Sequence, residues 1–200
     1  MRLSIYQLKP AFQKRLNAPV QFLKCQGVSP NQVTLAALAL SLIYGALLYI
    51  CPGQSLLWAV LPIVLLVRMA LNAIDGLLAR AAAQLTKLGA LLNEISDQLA
   101  DAALYLPFAY AAGLYPELVM LNVILACLTE FTGVAALTVG SPRGFAGPMG
   151  KSDRAFAISI LAIAVAAGAP ALLGNSLLSV IACLSIWTIR NRIKMALASS

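Results

Sequence analysis

Six stretches of mostly apolar residues follow one another along this chain, over roughly 31–51, 54–80, 86–112, 116–139, 153–170 and 173–194. A helix needs about 20 such residues to cross the hydrocarbon core of a bilayer. Backbone polar groups in lipid must also be satisfied within their own segment. The pattern therefore predicts an all-α, polytopic integral membrane protein with six transmembrane helices. With 61% hydrophobic and 10% charged residues, the chain is excluded from the soluble class. No second domain, internal repeat or low-complexity tract interrupts it, and no cleaved signal peptide is expected.

Charge placement orients the bundle. Of fourteen Lys and Arg residues, all but Arg68 lie in loops, tails or span ends on one side. They are Arg2, Lys9, Lys14, Arg15 and Lys24; Arg80 and Lys87; Arg143, Lys151 and Arg154; and Arg190, Arg192 and Lys194. The opposite loops, near Pro52, Tyr115 and Pro170, carry none. Basic residues concentrate on cytoplasmic loops, so both termini are expected in the cytoplasm. The net charge of +7 reads as topology and attraction to anionic lipid. It does not read as a nucleic-acid surface, because the cations are spread over separate loops. Arg68, inside the second span, requires a partner or a snorkelling route.

Residues 1–30 are expected to form a cytoplasmic segment, 31–195 the transmembrane domain and 196–200 a tail. In the first segment Leu8, Phe12, Leu16, Val20 and Phe22 share a face, with Lys9, Lys14 and Arg15 off it. This predicts a basic amphipathic helix on the leaflet. Pro10 suits a helix start and Pro19 a break. A loosely ordered basic tail is the alternative.

The acids are the exception to the apolar pattern. Asp75, Glu94, Asp97 and Asp101 are four of only seven acidic residues. Each Asp at a helix centre costs about 2.5–3.5 kcal/mol on insertion scales, so three cost roughly 8–10 kcal/mol. A bound divalent cation is the simplest compensation, and intramembrane acids mark function by default. Asn72, Asp75, Gly76 and Ala79 share one helix face, and Asn93, Asp97 and Asp101 recur every four residues on the next. A short connection after Arg80 makes the two helices antiparallel neighbours, so these faces meet. Asp75 lies about 7–8 Å along the axis from Arg80, near the cytoplasmic mouth. Facing carboxylates on two helices are how a bundle holds a metal. Oxygen ligands without Cys or His favour Mg²⁺, Mn²⁺ or Ca²⁺ over zinc. Gly76 and Ala79 admit a ligand or another backbone, though small residues in membrane helices also serve packing.

The chain has no histidine, which excludes Ser-His-Asp chemistry, histidine haem ligation and His-containing zinc sites. Cys25, Cys51, Cys127 and Cys183 are isolated and read as small packing residues. Ser29 or Asn31 can cap the first span. Thr34, one turn in, could face a polar pocket. Gly150-Lys151-Ser152 lacks the earlier glycine and the preceding strand of a P-loop, which is rejected. Arg143, Lys151 and Arg154 are candidates for phosphate contacts, or simply express the positive-inside bias.

The run Asp75-Gly76-x-x-Ala79-Arg80, then eight residues, Gly89, three residues, position 93, three residues and Asp97, resembles the CDP-alcohol phosphatidyltransferase signature. The Pro30-Asn31-x-x-Thr34 entry, the six spans and the leading amphipathic helix are also similar to that family. Gly150-Lys151-Ser152-Asp153-Arg154 further resembles its YnbA-like bacterial branch. The resemblance implies metal-dependent transfer of a phosphatidyl-type group from a CDP-diacylglycerol-like donor to a small alcohol, with release of CMP. It implies Mg²⁺ or Mn²⁺ as cofactor, a cytoplasmic active site in the bacterial inner membrane, and a homodimer as in many relatives. Asp75 carries over as a metal ligand, and Asp97 as ligand and general base. Gly76, Ala79, Arg80 and Gly89, with Asn31 and Thr34, carry over to the nucleotide. The loop cations favour a phosphorylated acceptor such as glycerol 3-phosphate, with serine, inositol and other alcohols open.

Two positions depart from the signature: its first and third aspartates are Asn72 and Asn93 here. The expectation is a shifted or single-metal site in which both amides offer oxygens and Asp101, with Glu94, restores the charge. A catalytically inactive scaffold of the same fold is one alternative. A cation- or proton-coupled carrier is another, although no inverted repeat or pair of broken helices is visible.

Overall fold

The computed structural model describes residues 15–198, which are helical with no strand among them. A short helix, α1 (Asn17–Cys25), precedes six longer ones: α2 (Pro30–Ile50), α3 (Ser55–Ala81), α4 (Lys87–Tyr105), α5 (Pro116–Ala135), α6 (Lys151–Ala166) and α7 (Ala171–Ala198). Turns of 3₁₀ helix extend α4 over Leu106–Tyr110 and α5 over Ala136–Val139. Four helical stretches are long and apolar enough to cross a membrane: Pro30–Ile50, Ser55–Ala81, Pro116–Val139 and Ala171–Ala198. The other two expected spans do not qualify by length and composition. The α4 helix carries Lys87, Glu94, Asp97 and Asp101, and α6 has only 16 residues.

Local chemistry sets the ends. At α2, Ser29 Oγ accepts from the Gln32 N–H at 3.3 Å and Gln32 Oε1 accepts from the Ser29 N–H at 2.8 Å. Pro30 opens the helix, where no N–H is needed. Ser29 is thus the cap, and Asn31 is left for another role. Thr86 Oγ1 accepts from the Gly89 N–H at 2.9 Å to start α4, and Asp153 Oδ2 accepts from the Gly150 N–H at 3.2 Å to start α6. The third expected span, 86–112, stops being α-helical at Tyr105. Pro107 has no N–H to offer Ala103, and the chain tightens into 3₁₀ geometry. The Ala103 carbonyl lies against Gly45, where an added Cβ would sit 2.2 Å from its oxygen. Gly45 is therefore what lets α2 and α4 cross so closely.

The α2 helix packs on α3 and α4, α3 on α6, and α5 on α7. The main core joins Leu48, Trp58, Leu61, Leu65, Leu104, Phe108, Ile158, Leu161, Leu178 and Ile181. The Trp58 and Phe108 rings are 4.5 Å apart, centroid to centroid. Large apolar side chains such as Ile43, Ile63, Leu66, Phe131 and Leu172 face outward, as lipid contact requires. A smaller cluster of Val20, Val33, Ile74 and Leu78 docks α1 against α2 and α3. Lys24 Nζ reinforces it by donating to the Ala81 carbonyl at 2.7 Å, at the end of α3. Pro19 lies in the first turn of α1. Leu8, Lys9, Pro10, Phe12 and Lys14 of the expected amphipathic helix lie outside the described residues. Of the cysteines only Cys127 is partly buried; the other three are exposed, so they do not fill the core as expected.

One end of the bundle gathers the turns around Pro52, Leu114 and Pro170, which line a cavity of about 270 Å³. Asn175 ties this end together, accepting from the Tyr115 N–H and donating to the Gly113 carbonyl, both at 2.9 Å. Apart from Glu117 in the first turn of α5, the charged side chains among the described residues collect at the opposite half.

Candidate active site on the seam of two facing helices

The expected facing of α3 and α4 is present through their side chains, but the two helices are not directly packed neighbours as expected: each packs on α2, and polar side chains bridge the gap between them. Asn72 Nδ2 donates to Asp97 Oδ1 at 2.5 Å. The Lys151 ammonium pairs with Asp97 Oδ2, and Arg68 Nη2 lies 3.6 Å from Oδ1. Asp75 is buried, and Thr34 Oγ1 donates to its Oδ2 at 2.7 Å, lying also 3.2 Å from the Pro30 carbonyl. Thr34 thus orients a carboxylate. Asp75, Asp97 and Lys151 are within electrostatic reach of one another. Gly89 abuts Asn31: a Cβ added there would lie 3.1 Å from Asn31 Oδ1 and 3.0 Å from Thr86 Oγ1. Arg80 is exposed and folds over Gly76, its Nη1 and Nη2 each lying 4.0 Å from a Cβ added there. The starts of α2 and α4 therefore form one rim of the site. The Gly76-to-Arg80 turn forms another.

Asp101 departs from the expectation that it joins the cation ligands. Arg68 Nη1 takes its Oδ1 and Arg154 Nη2 lies 3.1 Å from its Oδ2, with all three side chains at most 3% exposed. Both carboxylate oxygens are committed to guanidinium groups. The residue follows the Asn93-Asp97 stripe in sequence, but one more turn carries it into the bundle interior. Glu94 also pairs away from the seam: Arg143 grips it with both nitrogens, Nη2 to Oε2 at 3.1 Å. Asn72 presents its donor to Asp97 rather than an oxygen to a cation. Among the described residues, no three His, Cys, Asp or Glu side chains are grouped as a metal cage.

The fit to a single hard cation is better. Asn93 Oδ1 is buried without a hydrogen-bond partner. Such an orphaned acceptor is costly unless it is filled. It stands one helical turn from Asp97, on the same side of α4.

The three loop cations are not free for a ligand. Arg154 is 1% exposed and donates to Thr129 Oγ1 at 2.7 Å, besides holding Asp101 and Glu130. Arg143 holds Glu94 and lies over the Phe145 ring, 5.2 Å from its centroid. Lys151 holds Asp97. The sequence reading missed Glu130 and Arg192, which pair at 3.6 Å between α5 and α7. Glu130 sits in the middle of an apolar span, and the rule that flagged Asp97 applied equally to it. Arg192 had been counted among the flanking charges.

The model of the CDP-alcohol phosphatidyltransferase family matches residues 27–190. The chain is 45% identical to the inner membrane protein YnbA of Escherichia coli, covering 99% of this chain and 98% of that one. It is 30% identical to the archaetidylinositol phosphate synthase of Aeropyrum pernix, covering 80% of each. Its fold is similar to a crystal structure of Mycobacterium tuberculosis phosphatidylinositol phosphate synthase with CDP-DAG bound. The TM-score is 0.76 at 18% identity, over 91% of this chain and 93% of that one. A second structure of that synthase, in complex with manganese and citrate, gives a TM-score of 0.75 at 18% identity, over 91% and 88%.

Proposed function

Because the chain belongs to the CDP-alcohol phosphatidyltransferase family, whose members are transferases of phospholipid synthesis, we propose that its α3–α4 seam transfers a phosphatidyl-type group from a CDP-linked lipid to an alcohol. CMP is the leaving group. The observation that carries this reading is the pairing of two oriented carboxylates, Asp75 on Thr34 and Asp97 on Asn72, beside the orphaned Asn93 oxygen. The Mycobacterium enzyme with CDP-DAG bound supports the donor class.

In the proposed reaction the acceptor oxygen attacks the lipid-side phosphorus. The bond from that phosphorus to the oxygen of CMP breaks, and the hydroxyl proton passes to Asp97. Asn72 fixes the orientation of this carboxylate, and Lys151, only partly buried, moves aside to admit the acceptor. Arg80, Gly76 and Ala79 on one rim, with Asn31 and Gly89 on the other, would receive the nucleotide. Asp75, Asp97 and the Asn93 amide oxygen would hold one Mg²⁺ or Mn²⁺. Such an ion neutralises diphosphate charge and orients donor and leaving group. Phosphoryl transfer depends chiefly on such positioning and neutralisation.

We further infer that all six long helices cross or enter the bilayer of a bacterial inner membrane. The two less apolar ones, α4 and α6, turn Leu91, Ile95 and Leu99, and Phe156, Ile160 and Ile163, outward and keep Asp101 and Arg154 inside, with the site and both termini cytoplasmic. The alternation of basic and uncharged loops supports this orientation.

Purified protein supplied with CDP-diacylglycerol, Mg²⁺ and a set of alcohols should release CMP, and Asp97→Ala should abolish release. Undiminished turnover in that variant would remove Asp97 from its role. A wild type that binds CMP but never turns over would mark an inactive scaffold. Solute flux in proteoliposomes without CMP formation would mark a carrier.

A further inference from the structure

Three guanidinium groups converge on one carboxylate beside the site. Arg154 Nη2 lies 3.4 Å from Glu130 Oε1, and Arg192 Nη1 and Arg143 Nη2 lie 3.6 Å and 3.7 Å from Oε2. Arg143 also holds Glu94, one turn from Asp97 along α4, and Arg154 also holds Asp101. Three arginines around a vacant space would be a receptor for an anion such as phosphate. Here the protein supplies the anion itself. We propose that Glu130 occupies the place of an acceptor phosphate and that the chain takes an unphosphorylated alcohol, an inference that rests on the transferase reading above.

The charge count supports it. Arg68, Arg143, Lys151, Arg154 and Arg192 form this network with Glu94, Asp97, Asp101 and Glu130. Asp75, within reach of Asp97 and Lys151, supplies the fifth negative charge against five positive ones. The divalent ion proposed on Asp75 and Asp97 would add two positive charges, which the donor diphosphate offsets, so within this network no cation is left over for an acceptor phosphate.

Nor can the cations easily be redeployed. The Arg154 and Arg192 side chains are 2% and 3% exposed. Arg154 is fixed by Thr129 Oγ1 and the Met149 carbonyl, and Arg192 by the Thr129 carbonyl. Gly133 makes room for this arrangement, since a Cβ there would lie 3.0 Å from Arg192 Nη1 and 2.6 Å from the Gly144 carbonyl oxygen. A phosphate brought to these arginines would lie against the Glu130 carboxylate in water-poor surroundings, where like charges repel strongly. Rejection by a built-in like charge is a recognised route to specificity. The preference expected from loop cations, for a phosphorylated acceptor, is thereby reversed.

The test compares CMP release from CDP-diacylglycerol with acceptors in pairs: glycerol against glycerol 3-phosphate, and inositol against inositol 1-phosphate. Wild type should prefer the unphosphorylated member by about tenfold or more in kcat/KM. Glu130→Gln removes the charge and keeps an acceptor oxygen, and should shift the ratio toward the phosphorylated member by a similar factor. Glu94→Gln, at a partly exposed position, should release Arg143 and move the ratio the same way, which covers failure of the first variant to fold. Titration with inorganic phosphate reads the site without turnover: no saturation in wild type and measurable binding in a folded variant are expected. A wild type that uses the phosphorylated member as well or better, or binds phosphate as the variants do, overturns the inference and leaves the transferase reading standing. No CMP release with any acceptor overturns both.

Discussion

Arg68 on α3 and Asp101 on α4 meet inside the bundle, their side chains 1% and 3% exposed. Arg154 of α6 closes on the other oxygen of the same carboxylate, so three helices are joined through one acid. Burial of charge is tolerated only when partners are complete, and removing one partner strands the others.

Asp101→Asn should therefore act on stability. It leaves two buried guanidinium groups without their counter-ion and should cost about 3–5 kcal/mol. Thermal unfolding in detergent measures this. Mn²⁺ affinity of the fraction that folds should match wild type, because both Asp101 oxygens face arginines. An unchanged melting temperature with lost Mn²⁺ binding would instead place Asp101 among the ligands.

Thr34→Val removes the donor to Asp75 Oδ2 with little change of shape. A hydrogen bond to a charged group contributes about 1.5–3 kcal/mol. If Thr34 orients Asp75 for the reaction, kcat/KM for CMP release should fall by roughly 10- to 100-fold. Thr34→Ser, which keeps the hydroxyl, should recover most of it. Equal activity in the valine and serine variants would count against an orienting role.

Chelation tests the cation. EDTA should stop CMP release, and Mg²⁺ or Mn²⁺ should restore it, as hard oxygen donors require. Paramagnetic resonance of bound Mn²⁺ should count one ion per chain, with affinity weakened at least about tenfold in Asp75→Asn. Two tightly bound ions would show that Asn72 and Asn93 support a larger site than their hydrogen bonding indicates.

Gly45→Ala is a packing control. Its Cβ would meet the Ala103 carbonyl oxygen at 2.2 Å, so α2 and α4 must separate. Overpacking of this kind costs about 1–3 kcal/mol. Loss of melting temperature with CMP release retained per folded molecule is expected. An unaffected melting temperature would show that the crossing is looser than described.

Much of the architecture was legible in the chain. Apolar runs separated by turn residues announced helices close to those found, and Pro107 alone shortened the third. Spacing by three and four put Asn72 and Asp75 on one face and Asn93 and Asp97 on another; the two faces are held opposite each other by α2, which packs on both helices, rather than by direct packing across the short turn after Arg80. Asp101 shows where such reading stops. Its spacing matched the stripe, yet it was claimed by Arg68 and Arg154, 33 and 53 residues away. Glu94 was likewise claimed by Arg143, and Glu130 by Arg143, Arg154 and Arg192.

By itself, then, the sequence determined that the chain is a helical bundle for a bilayer, and which residues share each helix face. Both follow from backbone hydrogen bonding and a 3.6-residue period, which are properties of a single segment. Only the tertiary structure decided which acid meets which base. Several like charges compete for each partner there, and helix crossings a few ångströms wide settle the choice.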